Sequence, residues 1–228
     1  RAIYLLDLPS FNSNSERIFD NDGKRPDTES TREKFLGRGL DNNFAATYYP
    51  DVSLRDTDTG RVIAVPSSIA ALSALGFNDS VAYPWFAPAG FNRAALNEVV
   101  NVGVRLNKAD RDDLYDAKIN PIASFPGAGF VIFGQKTLQQ TASALDRINV
   151  RRLLLFLKRR IGKIADTILF EPNVQTTWNN FKGAADTVLS QVQAGLGITE
   201  YKLVLDETTT TADLIDRNVL YAKIFIKP

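Results

Sequence analysis

Asp110, Asp112, Asp113 and Asp116 fall within seven residues and could supply paired carboxylates for general acid–base work. They are interleaved with Arg111 on a short polar stretch, where a solvated helix face is the default. Asp7 ends an apolar run, in the place at the carboxyl end of a strand where α/β enzymes keep catalytic groups. The 228-residue chain contains no histidine, cysteine or methionine. Ser-His-Asp and Cys-His nucleophile systems, thiolate zinc sites, disulfides and haem ligation by His or Cys are therefore excluded. A Ser-Lys pair or an acid pair stays open, and no spacing marks one.

Loops that hold phosphate or calcium are also poorly matched. Gly127 and Gly129 precede an apolar run rather than follow one, and Ile132 stands where a dinucleotide fingerprint needs its third glycine. Gly162-Lys163 is followed by Ile164 instead of Ser or Thr. Asp56, Asp58 and Gly60 open like a calcium loop, but its twelfth position falls on Ser67, so a hairpin turn is the better reading. The sequence predicts no metal and no cofactor. The strongest chemical signal is a basic stripe: Arg151, Arg152, Lys158, Arg159, Arg160 and Lys163 lie between Asn149 and Ile164 with no acid among them. On a helical wheel Arg152, Arg159 and Lys163 oppose the apolar face of Val150, Leu153, Leu154, Leu157, Ile161 and Ile164, with Arg151 and Lys158 flanking. Their repulsion is uncompensated within the helix, and an acidic partner surface would relieve it. Lys and Arg number 27 against 26 Asp and Glu, which argues against a general nucleic-acid binder.

The elements that must position these groups follow from periodicity. A hydrophobic content of 44% with 23% charge describes a globular chain. No run approaches the ~20 apolar residues of a membrane span. Ala2–Pro9 reads as a buried central strand, Ser10–Thr31 as a long exposed loop and Phe44–Pro50 as a strand. Asp51–Pro66 reads as a hairpin turning at Asp56–Gly60, and Ser67 or Ser68 as the hydroxyl cap of a short helix that Gly76 ends. A strand through Val100–Leu106, a helical turn at Lys108–Asp116 and a strand at Phe130–Gly134 follow. The basic-stripe helix begins near Asn149. A second helix after Glu171-Pro172-Asn173 carries Trp178, Phe181, Ala185, Val188 and Val192 on one face. Tyr201–Asp206 and Val219–Ile226 are strands, joined through a helical turn capped near Thr211. The fold class is α/β, a mixed sheet flanked by helices. With no Met and a start inside an apolar run, the chain is expected to be a fragment.

INPIASFPGAGFVIFGQKT (Ile119–Thr137), DRINVRRLLLFLKRRIG (Asp146–Gly162), FEPN (Phe170–Asn173) and LDETTTTADLIDRN (Leu205–Asn218) resemble the carboxyl-terminal domain of contractile tail sheath proteins of bacteriophages, which are related to R-type pyocin sheaths. LLDLP, ATYYPDV, VPSSIAALSAL and the segment Tyr83–Gly90 are similar to the preceding core. The resemblance implies a sheath core over residues 1–115, with loop 10–31 exposed, and a tube-facing domain over residues 116–228. It implies a structural subunit rather than an enzyme. Such subunits form stacked rings in a helical sheath around the tail tube protein, meet baseplate and tail terminator proteins, and exchange terminal strands. Neither nucleic acid nor membrane is a direct partner. The location implied is the virion tail, and the host cytoplasm during assembly. The expected tube contacts are Arg152, Arg159 and Lys163, with Arg151 and Lys158 at the flank. Two alternatives stand beside this: a soluble α/β hydrolase with an unrecognised carboxylate pair, and a non-contractile adaptor for an acidic protein.

Overall fold

A computed structural model describes residues 2–18 and 25–228. In chain order the strands are β1 (Tyr4–Leu6), β2 (Ala45–Tyr49), β3 (Val52–Arg55), β4 (Val62–Val65), β5 (Val99–Val102), β6 (Ile119–Phe125), β7 (Gly129–Ile132), β8 (Glu200–Val204) and β9 (Lys223–Lys227). The helices are α1 (Thr28–Leu36), α2 (Ser67–Val81), α3 (Lys108–Asp116), α4 (Ile148–Thr167), α5 (Gln175–Ala194) and α6 (Ala212–Asp216). The α/β class is as expected. Residues 1–152 and 153–228 form two compact units that divide inside α4. β6 and β7, which lie past residue 115, belong to the first.

The first unit is built on a sheet of order β1-β2-β6-β7, with β1, β2 and β6 parallel and β7 antiparallel. All five residues of β2 are buried, because AATYY lies between two strands and α2 crosses it. The first strand, expected at the centre, is instead an edge. Tyr4 is 65% exposed, while Ile3 and Leu5 pack on one core cluster and Leu8 is buried in another. An apolar run reports that a strand packs on something, not how many neighbours pair with it.

β6 is the strand that periodicity misses, since Asn120 and Pro121 interrupt its apolar pattern. Asn120 is fully buried and fully used. Its Nδ2 donates to the carbonyls of Thr47 at 3.0 Å and Lys136 at 2.9 Å, and its Oδ1 accepts from the Lys136 amide at 2.6 Å. Such a satisfied amide is tolerated in a core, where an unpaired one is not. The chain passes so close that a Cβ on Gly134 would come within 2.9 Å of Asn120 Oδ1.

α2 runs past Gly76 to Val81, because a glycine in an open, helical position is only a weak breaker. Its cap is not a hydroxyl. Pro66 holds the cap position, and two carboxylates accept the first amides: Asp51 Oδ1 from Ser67 at 3.0 Å and Asp7 Oδ1 from Ser68 at 3.2 Å. Both positions suit the positive end of a helix. Ser67 Oγ instead donates to the Tyr48 carbonyl at 2.9 Å, pinning the helix start to β2.

The region expected as an exposed loop contains the start of a helix and buried residues. Residues 19–24 lie outside the described residues, but α1 starts at Thr28 under an Asp27 cap, whose carboxylate accepts from the Ser30 amide at 2.9 Å. Thr31 is buried and accepts from the Phe11 amide at 3.0 Å. Its polar residues bond to one another, so low apolar content does not mean exposure here.

The hairpin is found as expected, in a β4-β3-β5 antiparallel sheet. Pairing in β5 stops at Val102, short of Leu106. In the second unit Trp178, Phe181 and Ala185 of α5 pack with Leu205, Ile161 and Ile164. Leu189 of α5 is buried in place of the expected Val188, which is half-buried. β8 and β9 pair antiparallel, from Glu200–Lys227 to Val204–Lys223.

Asn120→Ala strands the Thr47 and Lys136 backbone groups, and a loss of roughly 3 kcal/mol is expected in denaturant unfolding. Burial also raises the Tyr48 and Tyr49 phenols, the latter to about 12. The unfolded phenols ionise near ~10. Stability is therefore intact below that pH and falls as pH climbs from there through the folded values, which a pH series of melting curves measures.

Candidate partner-binding face

α4 is anchored at its start. The Ile148 amide donates to the Gln135 carbonyl at 2.8 Å, and Asn149 Nδ2 reaches the Trp85 carbonyl at 3.4 Å. Two of the five expected contact residues serve this anchoring. Arg151 is 7% exposed, with its guanidinium 3.9 Å from the centre of the Phe44 ring and its Nε donating to the Asn43 carbonyl at 3.0 Å. Arg152 Nη2 donates to both oxygens of Asp79, at 2.5 and 2.6 Å. The charge repulsion that looked uncompensated along the helix is thus partly compensated from α2, 73 residues away. No local pattern could report that partner.

Lys158, Arg159 and Lys163 are exposed, as is Arg160, whose guanidinium lies 5.5 Å from the Phe156 ring centre. Among the described residues none of these four forms an ion pair. The exposed part of the basic stripe is therefore the part of α4 beyond Leu157, with Arg160 added. The two arginines before it hold the helix in place.

The other chemical candidates have structural work. Asp110 closes a capping box with Asn107, accepting from its amide at 2.9 Å while Asn107 Oδ1 accepts from the Asp110 amide at 2.9 Å. Asp113 lies 3.9 Å from Arg32 and Asp116 3.7 Å from Lys136, while Asp112 is exposed. The Asp56 carboxylate is held by the Asp58 amide at 3.0 Å and the Thr59 hydroxyl, which lowers its pKa, the hydroxyl contributing most. Gly127 and Gly129, at φ of 79° and 71°, make the β6–β7 turn. Among the described residues no three His, Cys, Asp or Glu converge as a metal site, and no helix is long and apolar enough to cross a membrane.

After α2 the rings of Tyr83 and Trp85 stack 4.6 Å apart, and Tyr83 and Phe86 wall an open hollow of about 620 Å³ with Arg93 at its side. Three aromatics within four residues, followed by Pro88, are the signal that could have found it.

Among the described residues a mixed α/β fold carries an exposed cationic helix face on α4. Residues 140–228 match the phage tail sheath C-terminal domain family. The chain is 43% identical over 171 residues to the tail sheath protein of Vibrio phage KVP40, covering 75% of this chain and 25% of that one. It is 38% identical over 171 residues to the tail sheath protein of Enterobacteria phage T4, covering 75% and 26%. Its fold superposes on the helical sheath of the anti-feeding prophage in its contracted state with a TM-score of 0.71 and 28% identity, over 82% of this chain and 52% of that one. The chain is similar in sequence to contractile tail sheath proteins, and its residues 140–228 match their C-terminal domain family. It spans about a quarter of the length of the curated relatives it matches.

Arg152→Ala should cost about 2 kcal/mol, since it leaves Asp79 without its charge-assisted bonds. Arg159→Ala should stay within about 0.5 kcal/mol, as an exposed residue without a partner does. Thermal or urea unfolding of the two variants measures the contrast.

Proposed function

We propose that this chain is part of a structural subunit that polymerises into the contractile tail sheath of a bacteriophage and drives the tail tube through the host envelope. The observation that carries this reading is the 43% identity over 171 residues to a phage tail sheath protein. In this reading the subunit does no enzymatic chemistry. It is supported by a set of carboxylates occupied in caps, turns and ion pairs, and by the absence of histidine and cysteine from the sequence. Its partners are further copies in stacked rings, the tube, and the baseplate and terminator proteins at the two ends. It resides in the virion tail and, during assembly, in the host cytoplasm.

Contraction of such a lattice requires two arrangements, an extended one that is kinetically held and a contracted one with better matched surfaces. A contact that must release on triggering suits weak pairs. Exposed ion pairs contribute on the order of 0–1 kcal/mol each. Lys158, Arg159 and Lys163, within the segment 116–228 expected to face the tube, are proposed as the tube contact. Arg151 and Arg152 belong to it only by supporting the helix.

Electron microscopy of the purified protein, alone and mixed with tail tubes, should show helical sleeves. Lone particles that turn over ester or glycoside substrates would favour the hydrolase, and a single discrete complex the adaptor. Changing Lys158, Arg159 and Lys163 together to Glu should reduce tube decoration by about tenfold or more, from three weak pairs lost and reversed. The melting temperature should stay that of the parent protein. Undiminished decoration by this triple variant would remove the basic face from the tube contact.

A further inference from the structure

Phe170 stands in the turn between α4 and α5 with a backbone φ of 71° and a side chain at 105% exposure. Its neighbour Leu169 is 61% exposed. A bulky residue in the left-handed region is strained, and such strain persists where surrounding structure or function demands it. Folding gives this ring nothing to pack against in its own unit. An aromatic side chain held outward on strained backbone is the geometry of an anchor for another surface.

The first unit presents a complementary surface. The open hollow of about 620 Å³ after α2 is lined by Val81, Tyr83, Pro84 and Phe86, with Asp79 and Arg93 beside them. That volume falls within the ~300–1,000 Å³ of ordinary ligand pockets. Val81 and Tyr83 are about half exposed, so an entering ring would cover apolar surface now in water. Arg93 donates through Nε to the Ala87 carbonyl at 3.0 Å and lies 5.5 Å from the Phe86 ring centre. Asp79 is already paired with Arg152, which leaves Arg93 as the uncompensated charge of the hollow. Immediately after Phe170 comes Glu171. Among the described residues neither Arg93 nor Glu171 has an ion-pair partner.

We propose that Phe170 of one copy inserts into the hollow between Tyr83, Pro84 and Phe86 of a second copy, with Glu171 set against Arg93. The proposal rests on the reading that the chain assembles with copies of itself, and it names the surfaces that meet. Each copy offers one knob and one hollow, so the same contact can recur from copy to copy. The aromatic anchor supplies affinity, and the Glu171–Arg93 pair sets orientation and rejects a reversed approach.

Sedimentation velocity on the 228-residue chain tests this. Phe170→Gly should weaken self-association by about thirtyfold, the effect of removing an interface anchor. Its thermal midpoint should hold or rise, because glycine relaxes the backbone at φ 71° and no packed contact is lost. Arg93→Glu and Glu171→Lys should each weaken association by a few-fold. Carried on one chain, the two reversals should restore it. A mixture of the two single variants should associate better than either alone, through the hollow of one and the knob of the other. Wild-type assembly matched by Phe170→Gly, or reversals that fail to rescue one another, would overturn the contact and leave the sheath reading standing. A chain that stays monomeric at its highest attainable concentration, with tail tubes present or absent, would overturn both.

Discussion

The platform under the start of the basic helix depends on one buried amide. Asn120 sits at the middle of the parallel sheet and bonds at once to Thr47 on the neighbouring strand and to both backbone groups of Lys136. The segment it holds, from Gly134 to Thr137, is the platform for the start of α4. Gln135 accepts from the Ile148 amide, the Thr137 hydroxyl donates to Leu145, and the Thr137 amide donates to Asp146. An apolar residue at 120 would fill the space and leave those backbone groups without partners in a medium where that is costly. The absent side chain at Gly134 is the other half of the same constraint, because the two strands of contact approach too closely for a Cβ.

From that platform α4 changes character along its length. Its first cations are consumed: Arg151 between the Phe44 ring and the Asn43 carbonyl, Arg152 on both oxygens of Asp79. Its later cations are left to solvent. Paired, partly buried charges hold geometry, since removing one partner is costly. Exposed charges bind reversibly, since salt and water weaken each pair. One helix thus carries paired cations at its start and solvent-exposed cations farther on.

α2 is the counterpart of that base. Its positive end is closed by Asp7 and Asp51, delivered by the ends of two different strands, and near its carboxyl end Asp79 receives Arg152. Carboxylates that a reader of the sequence would test as catalysts are therefore joints between elements. The aromatic hollow begins where α2 ends, so the same helix sets the place of the hollow and the charge balance around it.

Composition alone decided which chemistry is missing, because a side chain that is absent cannot be supplied by folding. The long amphipathic helices were legible for a related reason: the 3.6-residue period is local, and α4 and α5 lie close to where spacing put them. So was the turn at Gly60, whose φ of 70° needs glycine. The order of the strands was not legible. β1 became an edge and β6, hidden by Asn120 and Pro121, an inner strand, because strand neighbours are chosen by pairing between distant segments. Which cations of the stripe stay free was equally invisible, since Asp79 and Phe44 meet α4 only when the chain has folded. Local spacing fixes where a charge lies on its own helix, and only tertiary contacts decide whether it already has a partner.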